Sequence, residues 1–199
     1  PLWLIVTLNS LNSFLRTGYF ELGQDVEIVK WKWDNPLWLL LGVIVWMGLI
    51  YWLACRKKIS TRQLQNIALG IAGGISLLAI LLFRSIAKCD SEFVSNAAIQ
   101  FLQNNYEAFS VGEYLYRYPF QIGITALLEL IYGIFGVQNY IVFELVNLVC
   151  IVDIVRMLGK ISEDLFDEET ARIEIVMSMG LLPLFLLSTF VYGDYIGLF

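Results

Sequence analysis

LWLLLGVIVWMGLIYWLAC, residues 37–55, contains no charged side chain. At about 1.5 Å of rise per residue, a helix of that length covers the roughly 30 Å hydrocarbon core of a bilayer, so the stretch predicts a transmembrane helix. The whole chain agrees with it. It is 58% hydrophobic and 16% charged, with a mean hydropathy of +0.70, whereas soluble domains carry about 25% charged residues. Several other apolar runs approach the same length.

Working outward from this helix sets a provisional topology. Arg56, Lys57, Lys58 and Arg62 follow it with no acid among them, which places residues 56–65 in the cytoplasm by the positive-inside rule. Residues 66–87 then run outward. Gly70 and Gly74 form a G-x-x-x-G pair there, flanked by Ala72 and Gly73. The pair reads either as a close-packing face or as chance spacing in a glycine-rich span. Residues 88–117 become an extracytoplasmic loop. Within it, Phe93, Val94, Ala97, Ala98, Phe101, Leu102 and Tyr106 recur at helical spacing, with Ser95, Asn96, Gln100, Gln103 and Asn104 mainly opposite. That periodicity predicts an amphipathic helix over 92–106 lying along the membrane surface.

On the N-terminal side, residues 16–36 mix acids and bases with Tyr19, Trp31 and Trp33 and end at Pro36. This reads as an anchoring loop in the headgroup belt. Residues 1–15 read as the end of a span or an interfacial helix. Downstream, Pro119 suits the first turn of a helix over 118–136, where a missing N–H costs little. A turn at 137–139 leads to a helix over 140–158. Residues 159–174 are polar and acidic and predict a surface helix. Residues 175–192 form the last apolar run, interrupted by Pro183. The expected fold is therefore all-α, a polytopic transmembrane bundle of about five or six spans, in a single membrane domain over 1–199. Because the chain opens at Pro1 and stops at Phe199 directly after an apolar run, it is expected to be a fragment of a longer membrane protein.

Composition also excludes. The net charge of −5 and the scarcity of Lys and Arg argue against nucleic-acid binding, which needs a basic footprint. The chain has no histidine, which removes His-based catalysis and His-ligated metals. Cys55, Cys89 and Cys150 have no metal-ligand spacing. No cofactor is required, and the residues do not support a divalent metal.

The densest set of chemical groups falls in 88–121. Asp90 and Glu92 follow directly on a span. Either Asp90 or Ser91 caps the next helix, or a carboxylate there faces a cleft as a general base, the ordinary choice without histidine. Arg117 and Tyr118 stand before Pro119, either as interfacial anchors or, through the guanidinium, as a phosphate contact. Glu113 and Gln121 flank them. Glu129, Glu144, Asn147 and Asp153 lie inside apolar runs, where a central carboxylate costs about 2.5–3.5 kcal/mol on insertion scales and so faces protein or water. Glu144 and Asn147 share a helix face at i, i+3, and Asp153 can pair with Arg156 at the same spacing. These groups serve either interhelical hydrogen bonding or a substrate or proton path. Asp194 closes the last run in Val-Tyr-Gly-Asp-Tyr, as a helix terminus or a second acid.

Taken in order, Cys-Asp-Ser-Glu-Phe-Val at 89–94, Ala97-Ala98, Tyr114-Leu-Tyr-Arg-Tyr-Pro-Phe-Gln-Ile-Gly123 and Pro183 before Val191-Tyr-Gly-Asp194 resemble the N-terminal part of GT-C type membrane glycosyltransferases. The closer similarity is to the bacterial relatives of protein O-mannosyltransferases and aminoarabinose transferases. The resemblance covers roughly 66–197 and rests on the order and spacing of the motifs. It implies a multi-pass protein of the bacterial plasma membrane that transfers a sugar from a polyprenyl-phosphate donor to a glycan, lipid or protein acceptor on the external face. Asp90 would be the catalytic base and Asp194 a second acid at the site. Arg117 would meet the lipid phosphate, with Glu92, Glu113, Tyr118 and Gln121 as further substrate contacts.

Strict alternation of 118–136, 140–158 and 175–192, however, puts Asp194 on the cytoplasmic side, opposite Asp90. It would also put Arg156, Lys160 and Arg172 outside. Either one of these runs does not cross fully or Asp194 is not part of the site. The competing readings are a transporter or channel with Glu129, Glu144 and Asp153 as its path, and a non-enzymatic membrane assembly protein.

Overall fold

The computed structural model describes residues 16–22, 27–55, 59–83 and 86–198. The expected segment 1–15 and the basic residues Arg56, Lys57 and Lys58 lie outside the described residues. The chain divides into two compact units, Pro1–Trp52 and Leu53–Phe199.

In the first unit, strands β1 (Arg16–Leu22) and β2 (Glu27–Trp33) pair antiparallel, with Arg16 opposite Trp33 and Leu22 opposite Glu27. The expected anchoring loop is thus a hairpin, and the all-α expectation is corrected to a mainly helical chain with one two-stranded sheet. The cause is local. Tyr19, Phe20, Ile28, Val29, Trp31 and Trp33 are β-branched or aromatic residues that favour extended backbone. The Arg16 guanidinium lies 4.0 Å from the centre of the Trp33 ring, closing the open end with a cation–π contact. Helix α1 (Pro36–Ile50) starts at Asn35, whose side chain accepts from the Leu37 N–H, with Pro36 in the first turn. It continues as a π-helical turn, Tyr51–Cys55.

The regular elements among the second unit's described residues are all helical: α2 (Thr61–Leu82), α3 (Asp90–Leu102), α4 (Tyr114–Arg117), α5 (Ile122–Phe135), α6 (Tyr140–Leu165), α7 (Glu168–Ser178), α8 (Leu182–Leu186) and α9 (Asp194–Leu198). Short 3₁₀ turns occupy Glu107–Phe109, Pro119–Gln121 and Leu187–Thr189. A capping box starts α2: the Ser60 hydroxyl accepts from the Gln63 N–H, and the Gln63 side chain accepts from the Ser60 N–H. The buried stripe of α2 is Leu64, Ala68, Ala72, Ser76 and Ala79. Gly73 meets Val152 of α6, but Gly70 and Gly74 face open space. The glycine pair is therefore not the packing face. Small side chains one helical turn apart let α2 and α6 approach instead.

The main core joins Val94 and Ala98 of α3, Leu128, Ile131 and Tyr132 of α5, Phe143 of α6, and Val191. Helix α3 consequently packs on α5 instead of lying alone on a surface. Ser95, assigned above to its polar side, is buried, and its hydroxyl shares hydrogen bonds with the hydroxyls of Tyr132 (2.8 Å) and Tyr140 (3.1 Å).

Among the described residues, Pro36–Cys55 and Thr61–Leu82 are long and apolar enough to cross a membrane. The number rises to four if each of two bent pairs is one span: Glu107–Arg117 with Pro119–Phe135, bent by 109°, and Glu168–Ser178 with Leu182–Thr189, bent by 56°. Helix α5 alone has 14 residues, about 21 Å of rise, which falls short of the roughly 30 Å core.

The acidic segment after residue 158 also departs from a simple surface helix. Helix α6 runs through it to Leu165, and α7 buries Arg172. The Arg172 Nε–H donates to the Ala54 carbonyl, Nη2 to Leu53, and Nη1 to the Ile59 carbonyl and the Thr61 hydroxyl. Three of these bonds satisfy carbonyls that a terminating helix or a loop would otherwise leave open.

Candidate functional site

Helix α3 begins at Asp90 without help from a side-chain cap. Its preceding residue is Cys89, which takes φ +54°, a left-handed conformation that costs a non-glycine residue roughly 1–3 kcal/mol. The Ser91 hydroxyl donates backward to the Lys88 carbonyl. Neither Asp90 nor Ser91 fills the capping role allowed by the sequence, and the Asp90 carboxylate projects as an exposed group.

Its partner comes from more than 100 residues away. The Tyr192 hydroxyl donates to Asp90 Oδ2 at 3.3 Å, and Gln121 Nε2 donates to the same Tyr192 oxygen at 3.3 Å. Burial, followed by the neighbouring Asp90 charge, pushes the Tyr192 phenol above its ordinary pKa, so the group stays a donor. Tyr114 lies beside both. Its ring stacks on Phe93 at 5.2 Å and tilts against Tyr118 at 5.0 Å.

Behind Tyr192 opens a cavity of about 410 Å³ between the start of α5 and the turn into α9. Phe120, Ile124, Leu127 and Ile196 form its apolar walls, and Gln121, Tyr192 and Asp194 supply its polar groups. A Cβ at Gly193 would meet Ile124 at 3.4 Å, an ordinary van der Waals contact. The site thus has a carboxylate able to accept a proton, a phenol that orients it, and an adjoining recess that is greasy on one side.

Asp90 and Asp194 therefore belong to one end of this unit, against the expectation from strict alternation. The reason is α5. Its start touches Asp90 through Gln121 and Tyr192, while near its end Tyr132 meets Ser95, only five residues beyond Asp90. Tyr140, at the start of α6, meets the same Ser95. Both ends of α5 stay beside α3, so the run 118–136 does not carry the chain to the far end. Helix α6 makes that passage, and Gln65 at the start of α2 bonds the Val155 carbonyl there. Arg156, Lys160 and Arg172 accordingly share the end of Thr61 and Arg62.

The other expected site residues are not gathered. No hydrogen bond or ion pair among the described residues joins Glu92, Glu113, Arg117 or Tyr118 to Asp90. Glu92 is exposed in the first turn of α3, Glu113 precedes α4 without capping it, and Arg117 ends α4 in the open. Gln121, by contrast, is 8% exposed and inside the network. Tyr192 was missed, although it stands within the motif that singled out Asp194.

No family model, no curated protein and no solved structure matches this chain. Among the described residues, no three His, Cys, Asp or Glu side chains converge as a metal site.

The polar groups within the apolar runs sort differently. Asp153 and Arg156 form the ion pair that their spacing suggested. The Asn147 amide donates to the carbonyls of Ser188 (3.1 Å) and Phe190 (2.9 Å). Glu144 is 2% exposed, and its Oε1 has no hydrogen-bond partner among the described residues. Glu129 is half-buried beside a shallow cavity with Leu102 and Gly133.

Proposed function

We propose that this chain is part of a polytopic membrane glycosyltransferase, of about five or six spans, in a bacterial plasma membrane. It transfers a sugar from a polyprenyl-phosphate donor to a glycan, lipid or protein acceptor outside the cell. One observation carries the reading: the hydrogen bond from Tyr192 to Asp90 joins the acid after a span to the Val-Tyr-Gly-Asp segment, the two motifs on which the resemblance rests. Asp90 is the base. It takes the proton of the acceptor hydroxyl, whose oxygen forms the new bond to the anomeric carbon while the bond to the phosphate oxygen breaks, inverting that centre. Tyr192 positions the carboxylate. Asp194, at the polar side of the adjoining cavity, contacts the sugar, and its apolar walls suit the first prenyl units. Arg117, exposed at the end of α4 and outside the cavity lining, is the candidate cation for the departing phosphate once the donor is bound.

The test is sugar transfer from polyprenyl-phosphate donors by the intact protein in membranes, wild type against Asp90→Asn. Loss of turnover with unchanged expression supports the reading, and retained turnover removes Asp90 as base. The unpartnered, buried Glu144 carboxylate favours one rival, a transporter with an intramembrane acid on its path. That rival requires transport to survive Asp90→Asn and to fail in Glu144→Gln.

A further inference from the structure

At the end of the second unit away from Asp90, a cavity of about 370 Å³ lies between α2 and α6. Arg62 of α2 and Arg156 and Lys160 of α6 line it, and Glu163 is the one acid among its lining residues. Asp153 neutralises Arg156, which leaves Arg62 and Lys160 against Glu163 in the lining, an excess of one positive charge. Arg156 shares its guanidinium with Asp153, but Arg62 and Lys160 make no ion pair among the described residues.

The floor of the cavity is built, not incidental. Gln65 Nε2 donates to the Val155 carbonyl at 3.3 Å, which fixes the amide across the helix pair. Its Oε1 then occupies the space that a side chain at position 159 would need, so Gly159 is what lets Gln65 sit there. A Cβ at 159 would also come within 2.8 Å of Ile175. The two cations without an ion pair line one recess between α2 and α6 and so present two charges to an anion around a single volume. Basic recesses between transmembrane helices bind anionic headgroups in this way, and a guanidinium offers a planar set of donors matched to phosphate oxygens.

We infer that the recess bounded by Arg62, Arg156, Lys160 and Gly159 is a binding site for a phosphate group, at the opposite end of the unit from Asp90. The ligand class is a phosphodiester or phosphomonoester. An anionic lipid headgroup and a free phosphate share that chemistry, and the experiment separates them. The inference does not depend on the glycosyltransferase reading.

The intact protein is purified and reconstituted in nanodiscs. Binding is measured by native mass spectrometry and by competition with a fluorescent phosphatidylglycerol, using dioleoyl phosphatidylglycerol, dioleoyl phosphatidylcholine and inorganic phosphate as probes. Phosphatidylglycerol is expected to bind saturably and more tightly than phosphatidylcholine. Each surface cation is worth about fivefold in affinity, so Arg62→Gln with Lys160→Gln is expected to weaken binding about 25-fold. Glu163→Gln is expected to tighten it about fivefold, a change of opposite sign that no folding defect produces. Lys88→Gln, at the other end, is expected to change nothing. Competition by inorganic phosphate alone assigns the site to a free phosphate, and its failure to compete assigns it to the lipid. Equal losses in Lys88→Gln and the double variant overturn the inference, because diffuse surface charge then accounts for the binding. So does an unchanged affinity in both the double variant and Glu163→Gln.

Discussion

Replacing Arg172 tests how this fold is held. Its side chain is 2% exposed and makes four hydrogen bonds, to the carbonyls of Leu53, Ala54 and Ile59 and the hydroxyl of Thr61. Single hydrogen bonds to a charged group are worth about 1.5–3 kcal/mol. The four do not add, because one desolvated guanidinium serves them all. Truncating it strands three carbonyls away from water, and losses of this kind run to about 3–5 kcal/mol. For a chain of this size each kilocalorie moves a melting temperature by about 2–4 °C, so Arg172→Ala should melt about 6–20 °C below wild type. Arg172→Lys is the informative companion. An ammonium supplies charge but not a planar fork, so it should recover less than half of the loss. The assay is thermal unfolding of the detergent-solubilised protein followed by size-exclusion chromatography. If Arg172→Ala melts within a degree of wild type, the guanidinium is not what satisfies these carbonyls, and the account of the unit's closure fails.

Three further outcomes follow from other residues. Asn147→Leu removes both donors to the Ser188 and Phe190 carbonyls and should cost about 1–3 kcal/mol, read in the same melting assay; Asn147→Asp, which cannot donate from both positions, should not restore it. Tyr192→Phe removes the donor to Asp90 and leaves Gln121 without its acceptor. Under the proposed function it should lower kcat for sugar transfer about tenfold or more, since about 1.4 kcal/mol is a factor of ten, with little change in melting. The Tyr195 phenol is pushed from an ordinary 10 up to about 12, by burial first and then by Asp194, and it donates to the Leu184 carbonyl. The folded state therefore holds this proton more tightly than the unfolded state. Its contribution to stability is complete below pH 10 and is lost as pH rises through 12. Melting measured across that window should fall less steeply in Tyr195→Phe.

The runs at 37–55 and 66–87 were legible because continuous apolar stretches report the solvent around them and need no distant partner to be interpreted, although the second helix lies at Thr61–Leu82, five residues earlier. The hairpin at 16–33 was hidden by its charges. Lys30, Lys32 and Glu27 alternate with strand-forming residues, and the mixture resembles a loop until the pairing is known. Arg172 failed for a different reason. Its neighbours, from Ser162 to Glu174, are acidic and look solvated, whereas its acceptors are carbonyls at 53, 54 and 59 that carry no sequence signal. The same holds at the site. Asp90 stood out as an acid directly after a span, and Gln121 was named among its companions. The link between them is Tyr192, whose meaning depends on α5 turning back beside α3. Counting crossings could not show that, because the run 118–136 is apolar enough to read as one span although its helix is only 14 residues long.

The two bonds from Asn147 to the Ser188 and Phe190 carbonyls, where the helical turns after Pro183 end, have a consequence for biogenesis under the membrane reading. Each peptide group left unpaired in hydrocarbon costs several kilocalories per mole, so the segment from Glu168 to Thr189, with its helix interrupted near Pro183, is poorly suited to enter a bilayer by itself. The side chain that satisfies the carbonyls at its end sits on α6, which leaves the ribosome earlier. Translation thus delivers the receptor before the segment it receives, and the order of synthesis becomes an order of insertion.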